Sequence, residues 1–200
     1  MMKHPDFYNQ IETITLQDEL ASFLGTFEQG IIEFNYLDTV KAAGHSCPTV
    51  LGAYLMTLQG LKALYKEELP KRGDILVEFA QNANEGVAGV IANVITNITG
   101  ATVNLGFKGL AGRFDRRHLM HFDCDILGEV KFTRRDTGDS VEVFYDASSI
   151  SPDENMPELM QACLQGNAST EQQASFAKLW QARVEAIANN INNVISIQLC

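Results

Sequence analysis

Between positions 50 and 65 apolar side chains return at three- and four-residue steps: Val50, Leu51, Tyr54, Leu55, Leu58, Leu61, Leu64 and Tyr65. That spacing predicts a helix of several turns with one apolar stripe. Pro48 suits its first turn, where a missing N–H has no partner to lose. Gly52, Ala53 and Gly60 fall off the stripe and are small enough for a neighbouring backbone to approach. A second helical repeat runs through Val87, Val90, Ile91, Val94, Ile95 and Ile98, and Gly100 stands where a left-handed C-terminal residue belongs. A third, through Phe176, Trp180, Val184, Ile187 and Ile191, starts at a Ser169–Gln172 capping box. Pro157 to Leu164 predicts a shorter helix ended by Gly166, and Asp38 to Ala43 another broken by Gly44. Near the N-terminus, Leu16, Leu20, Phe23, Leu24 and Phe27 fit a helix capped by Thr15.

Strand patterns occupy the gaps. Ile31 to Tyr36, Asp74 to Phe79 and Val194 to Leu199 are short and rich in β-branched or aromatic residues. Gly128 to Arg135 and Ser140 to Asp146 alternate as a hairpin about the Asp136–Asp139 turn. Ala101 to Arg113, with Gly106, Gly109 and Gly112 among apolar residues, predicts strands with bulges. The order of elements predicts an α+β fold, a mainly antiparallel sheet covered by helices. The polar, acidic linker Ser148 to Asn155 sets a boundary. It divides a core domain, 1–147, from a C-terminal helical extension, 148–200, packed on the core or on a partner subunit.

Charge and cysteines narrow the function classes. A net charge of −10 opposes nonspecific nucleic-acid binding, which relies on basic surface. Four cysteines, at 47, 124, 163 and 200, have neither disulfide nor zinc-finger spacing, which fits a reducing cytoplasm. The first ten residues lack the apolar core of a signal peptide, and no run reaches the ~18 apolar residues of a membrane span. A cytoplasmic protein without membrane association is the expectation.

The candidate chemistry lies in Gly44-His45-Ser46-Cys47-Pro48. Cys47 falls at or beside the N-cap of the long helix, where unpaired N–H groups and the helix dipole favour negative charge. His45 is two residues away. Thiolate and imidazole together suit zinc or another transition metal, with water, Cys124, His118, His121 or a partner subunit completing the ligand set. The same pair suits catalysis by a Cys47 nucleophile assisted by His45. A buried cysteine beside a capping histidine is the plainer alternative. Asn93 and Asn97, on the polar face of the second helix, form either a solvated face or the wall of a ligand cleft. Phe114 to Asp125, which carries Arg116, Arg117, His118, His121 and Cys124, reads as a loop entering a strand and a salt-bridged surface.

Gly-His-Ser-Cys-Pro at the opening of a helix resembles the signature of the FmdE family of formylmethanofuran dehydrogenase proteins. Asn93 to Thr102, with Asn104, Leu105, Gly109 and Phe114 after it, is similar to the family's next region, and the resemblance covers about Leu37 to Phe114. It implies an α+β fold and a homodimer whose long helices meet. His45 and Cys47 carry over as metal ligands or as the reactive pair. Three positions depart from the pattern: Val90 and Asn93 stand at the family's Cys-x-x-Asp, and Ala101 at its Thr-Gly-Cys cysteine. The resemblance implies a protein that binds a metal ion or small ligand in a cleft around the His45–Pro48 turn, accessory to one-carbon or redox metabolism. An enzyme using Cys47, and a scaffold whose site has decayed, are the alternatives.

Overall fold

The computed structural model describes residues 3–200. Its centre is helix α3, Pro48–Tyr65, in which thirteen of eighteen residues are buried. The single stripe read from the sequence is therefore too narrow. Gly52, Ala53, Met56, Thr57 and Gly60 are buried as well, because neighbours close on the helix from several sides. Gly52 and Gly60 admit aromatic side chains rather than a backbone. A Cβ at Gly52 would stand 2.5 Å from the Tyr145 ring, and one at Gly60 2.8 Å from Phe132.

The sheet beneath α3 has the order β4-β3-β5-β6-β7, with β3 Ile75–Phe79, β4 Met120–His121, β5 Val130–Arg134, β6 Ser140–Tyr145 and β7 Ile195–Leu199. The short β4 runs parallel to β3 and all other pairs are antiparallel. Alternation fixes the faces: Ile75, Val77 and Phe79 are buried while Leu76 and Glu78 are half-buried. The α+β architecture holds as expected. The last strand, β7, pairs with β6 from Val141↔Leu199 to Tyr145↔Ile195, so the C-terminal segment is woven into the main sheet.

Two further helices frame α3. The amphipathic α4 is Ala88–Thr99, ended by Gly100 in the left-handed conformation. Helix α2, Tyr36–Ala43, begins at an Asn35–Asp38 capping box and ends at Gly44, whose φ of 76° suits the reversal into the His45 turn. Behind the acidic linker come α5, Met156–Leu164, and α6, Thr170–Ala188, the latter with the expected Ser169–Gln172 box. Helix α6 stops before Ile191, which opens the four-residue α7, Ile191–Val194.

Two local expectations fail. Ile14–Gln17 is a strand, β1, paired antiparallel with β2, Ile31–Phe34; the helix begins only afterwards as α1, Glu19–Phe23. Asp18, not Thr15, caps it, by accepting from the Leu20 and Ala21 amides. Leu16 is fully buried, whereas Phe23, Leu24 and Phe27 are exposed, so the five residues share no face. Residues 101–113 form an irregular loop whose one bridge joins Leu110 and Arg113. Left-handed Gly109 and Gly112, with Ala111 also at positive φ, turn that chain too sharply for a ladder.

The apolar stripe of α3 is covered by this same chain, so it supplies no open face for a second helix. No helix among the described residues is long and apolar enough to cross a membrane.

Candidate functional site

Helix α2 reverses at Gly44, and the chain drops through His45, Ser46 and Cys47 into α3. Cys47 is the N-cap, and its Sγ accepts from the Val50 amide at 3.4 Å. This is the position read from the sequence, and the half-buried thiol occupies one of the helix's otherwise unpaired donors.

The turn is held from three directions. The Tyr36 and Ser46 hydroxyls are hydrogen-bonded at 2.8 Å beneath the surface. The Ser46 carbonyl accepts from Trp180 Nε1 at 3.0 Å and Gln181 Nε2 at 3.3 Å, both on α6. The Tyr145 hydroxyl at the end of β6 donates to the Pro48 carbonyl at 2.8 Å. Burial pushes the Tyr145 phenol up to about 12 and Tyr36 further in the same direction, so both remain neutral donors across the physiological range. None of Tyr36, Tyr145, Trp180 and Gln181 is marked as a site residue by the sequence pattern. Trp180 stands out there only as part of an apolar helix face.

His45 takes a different direction. Its Nδ1 lies 3.0 Å from the Ala43 carbonyl. A carbonyl only accepts, so Nδ1 carries the proton in this pairing and Nε2 keeps its lone pair. The ring lines a cavity of about 330 Å³ between α2 and α4, together with Thr39, Val90, Asn93, Thr96 and Asn97. The structure thus brings together His45, Asn93 and Asn97, which lie about fifty residues apart in sequence. Cys47 is not among the residues lining that cavity, and among the described residues no hydrogen bond joins it to His45. A larger cavity, of about 530 Å³, flanks the other side of α4 and shares Val90, Asn93 and Thr96 with the first.

The remaining candidate ligands lie elsewhere. His121 Nε2 donates to the His118 carbonyl at 3.2 Å, and the Cys124 thiol faces the Phe122 carbonyl at 3.7 Å. Burial, reinforced by the charge of Glu78, raises the Cys124 thiol. Among the described residues no three His, Cys, Asp or Glu side chains are grouped to hold a metal ion. His45 and Cys47 offer two donors facing different surroundings, which does not fit a self-contained zinc site within one chain. Ala101 is fully buried in the core and does not line the His45 cavity, whereas Val90 and Asn93 both do. In Phe114 to Asp125 the salt-bridged loop is as expected, except that Arg116 is buried.

Known proteins share this architecture and its sequence. The sequence model of one family, described as "FmdE, Molybdenum formylmethanofuran dehydrogenase operon", matches residues 42–195. The match therefore runs well beyond Phe114, through α5 and α6 to the start of β7. Among solved structures the chain is similar to a tungsten formylmethanofuran dehydrogenase FmdE-like protein from Syntrophus aciditrophicus. The identity is 14%, over 84% of this chain and 72% of that one, with a TM-score of 0.44. No curated protein matches.

Proposed function

Because the chain belongs to the FmdE family, we propose that it binds a small, polar, uncharged molecule in the cleft between the His45 turn and α4, as an accessory to one-carbon or redox metabolism. The observation that carries this reading is the convergence of His45 with Asn93 and Asn97 on one cavity of about 330 Å³. The lining is apolar apart from two carboxamides, two threonines and an imidazole, and holds no carboxylate, lysine or arginine. Such a wall offers paired donors and acceptors without favouring a charged ligand. The Ala43 carbonyl supports the reading further, since it orients the imidazole and leaves Nε2 as an acceptor.

Val90 and Asn93 sharpen the proposal. They stand at the positions where the family resemblance implies Cys and Asp, and both line this cleft. Valine supplies no metal ligand, and a carboxamide is a weaker one than a carboxylate. A metal ion bound by His45 would need donors from its own ligand or from a second chain. The reaction class assigned is therefore binding, with no step through a metal.

Screening a library of small neutral fragments by two-dimensional NMR tests the proposal. Binders are expected to shift the side-chain resonances of His45, Asn93 and Asn97, and His45→Ala and Asn93→Ala are expected to abolish those shifts. Fragments that bind only at other surfaces, or shifts that survive both substitutions, would refute it.

Cys47 gives a second reading some support. A thiol at the N-cap of an eighteen-residue helix, facing the Val50 amide, has the setting of a nucleophile. Its base would have to be a group other than His45 as oriented here.

A further inference from the structure

A separate cavity of about 490 Å³ opens beside the start of β3, on the sheet face that carries Leu76. Its wall holds Lys71, Arg72, Arg116, Arg117 and Arg135. These are five of the fifteen lysines and arginines in a chain of net charge −10. Gathering a third of the cations into one concavity of an acidic protein focuses positive potential there.

The nearby carboxylates leave several of their donors unused. Asp18, only 4% exposed, accepts from Arg72 Nη1 at 2.9 Å and from Arg116 Nη2 at 2.7 Å, and it also caps α1. One buried negative charge thus answers two guanidinium groups. Arg116 is itself 6% exposed, and its Nη1 is buried with no hydrogen-bond partner. That nitrogen sits against Gly73, another wall residue. Asp115 occupies Nε and Nη2 of Arg117, and Asp74 occupies Nη1 of Arg135. The other nitrogens of both groups have no partner among the described residues. A buried guanidinium nitrogen without an acceptor is costly, and its setting in a basic cavity is explained if an acceptor comes from outside.

We propose that this cavity binds a small oxyanion, a phosphoryl or carboxylate compound with two or more negative charges, anchored by Arg116 and Arg117. The planar fork of a guanidinium matches the paired oxygens of both groups. The volume suits one small molecule, and the overall charge works against a nucleic-acid strand. This site is independent of the His45 cleft.

Isothermal titration with pyrophosphate and with citrate, at ionic strength held constant with sodium chloride, is the test. One-to-one binding with a submillimolar Kd is expected for one of the two, and which one binds tells a phosphoryl ligand from a carboxylate one. The double substitution Arg117→Gln with Arg135→Gln touches exposed or half-buried groups. It should weaken binding by about tenfold or more, as expected for lost charge-assisted hydrogen bonds, without moving the urea unfolding midpoint. Arg113→Gln, outside the cavity, and His45→Ala, in the other cleft, should leave the affinity unchanged. Binding of neither probe, or a loss on His45→Ala with none in the double variant, would overturn the proposal.

Discussion

The indole nitrogen of Trp180 donates to the carbonyl of Ser46 at 3.0 Å, across 134 residues of sequence. Through this bond α6 grips the turn that carries His45 and Cys47. Trp180→Phe should keep most of the apolar packing and remove the bond, lowering stability by about 1 kcal/mol. The loss is modest because Gln181 Nε2 still reaches the same carbonyl. Urea unfolding checks it, and amide hydrogen exchange should quicken first at Ser46 to Leu51. Unchanged exchange there would mean that α6 does not stabilise the turn.

Cys47 is predicted to act as a helix cap whatever else it does. Serine is a preferred N-cap, so Cys47→Ser should leave stability within about 0.5 kcal/mol, whereas Cys47→Ala should cost about 1 kcal/mol. Equal losses in the two variants, measured by chemical denaturation, would show that the thiol matters through packing and not through the Val50 amide.

Four tyrosines set the alkaline limit of the fold. Burial pushes Tyr65 and Tyr145 up to about 12, and moves Tyr36 and Tyr54 further in the same direction. An unfolded tyrosine ionises near pH 10. Above that pH the unfolded chain holds fewer protons than the native one, so stability falls as pH rises. The contribution is whole below about pH 10 and is lost between there and about 12. Tyrosinate absorbance should therefore appear together with unfolding. Titration of these tyrosines near pH 10 in folded protein would contradict the burial seen here.

Restoring the family's donors in the α4 wall should create metal affinity that the present residues lack. Val90→Cys with Asn93→Asp adds a thiolate and a carboxylate to the cavity that His45 lines. Zinc bound per chain after dialysis should rise towards one, and His45→Ala in that background should reverse the gain. Ala101→Cys, in the core, should give no such gain. Unchanged zinc content in a folded double variant would mean that these side chains do not converge.

The sequence determined what is local. The bounds of α3, α4 and α6 follow from 3.6-residue periodicity bracketed by Pro48, by Gly100 and by the Ser169–Gln172 box, each acting within a turn or two of its own position. The hairpin of β5 and β6 follows from alternation about a four-residue turn. The place of Cys47 at a helix start follows from Pro48. Where local patterns are ambiguous they mislead. Leu16 and Leu20 are four apart, as in a helix, yet Ile14 and Leu16 also alternate, and only pairing with Ile31–Phe34 decides for a strand. The glycines of 101–113 are compatible with a bulged strand, but no partner strand lies beside them.

Tertiary structure alone decided the sites. The meeting of His45 with Asn93 depends on how α2 and α4 pack, and the Trp180–Ser46 bond on how α6 docks. Arg116 reaches Asp18 from 98 residues away, and no spacing rule links two such positions. Periodicity records which face of an element is apolar, not which other element will cover it. The cavities, the buried guanidinium and the support of the turn all arise from that second choice, which is settled by packing across the whole chain.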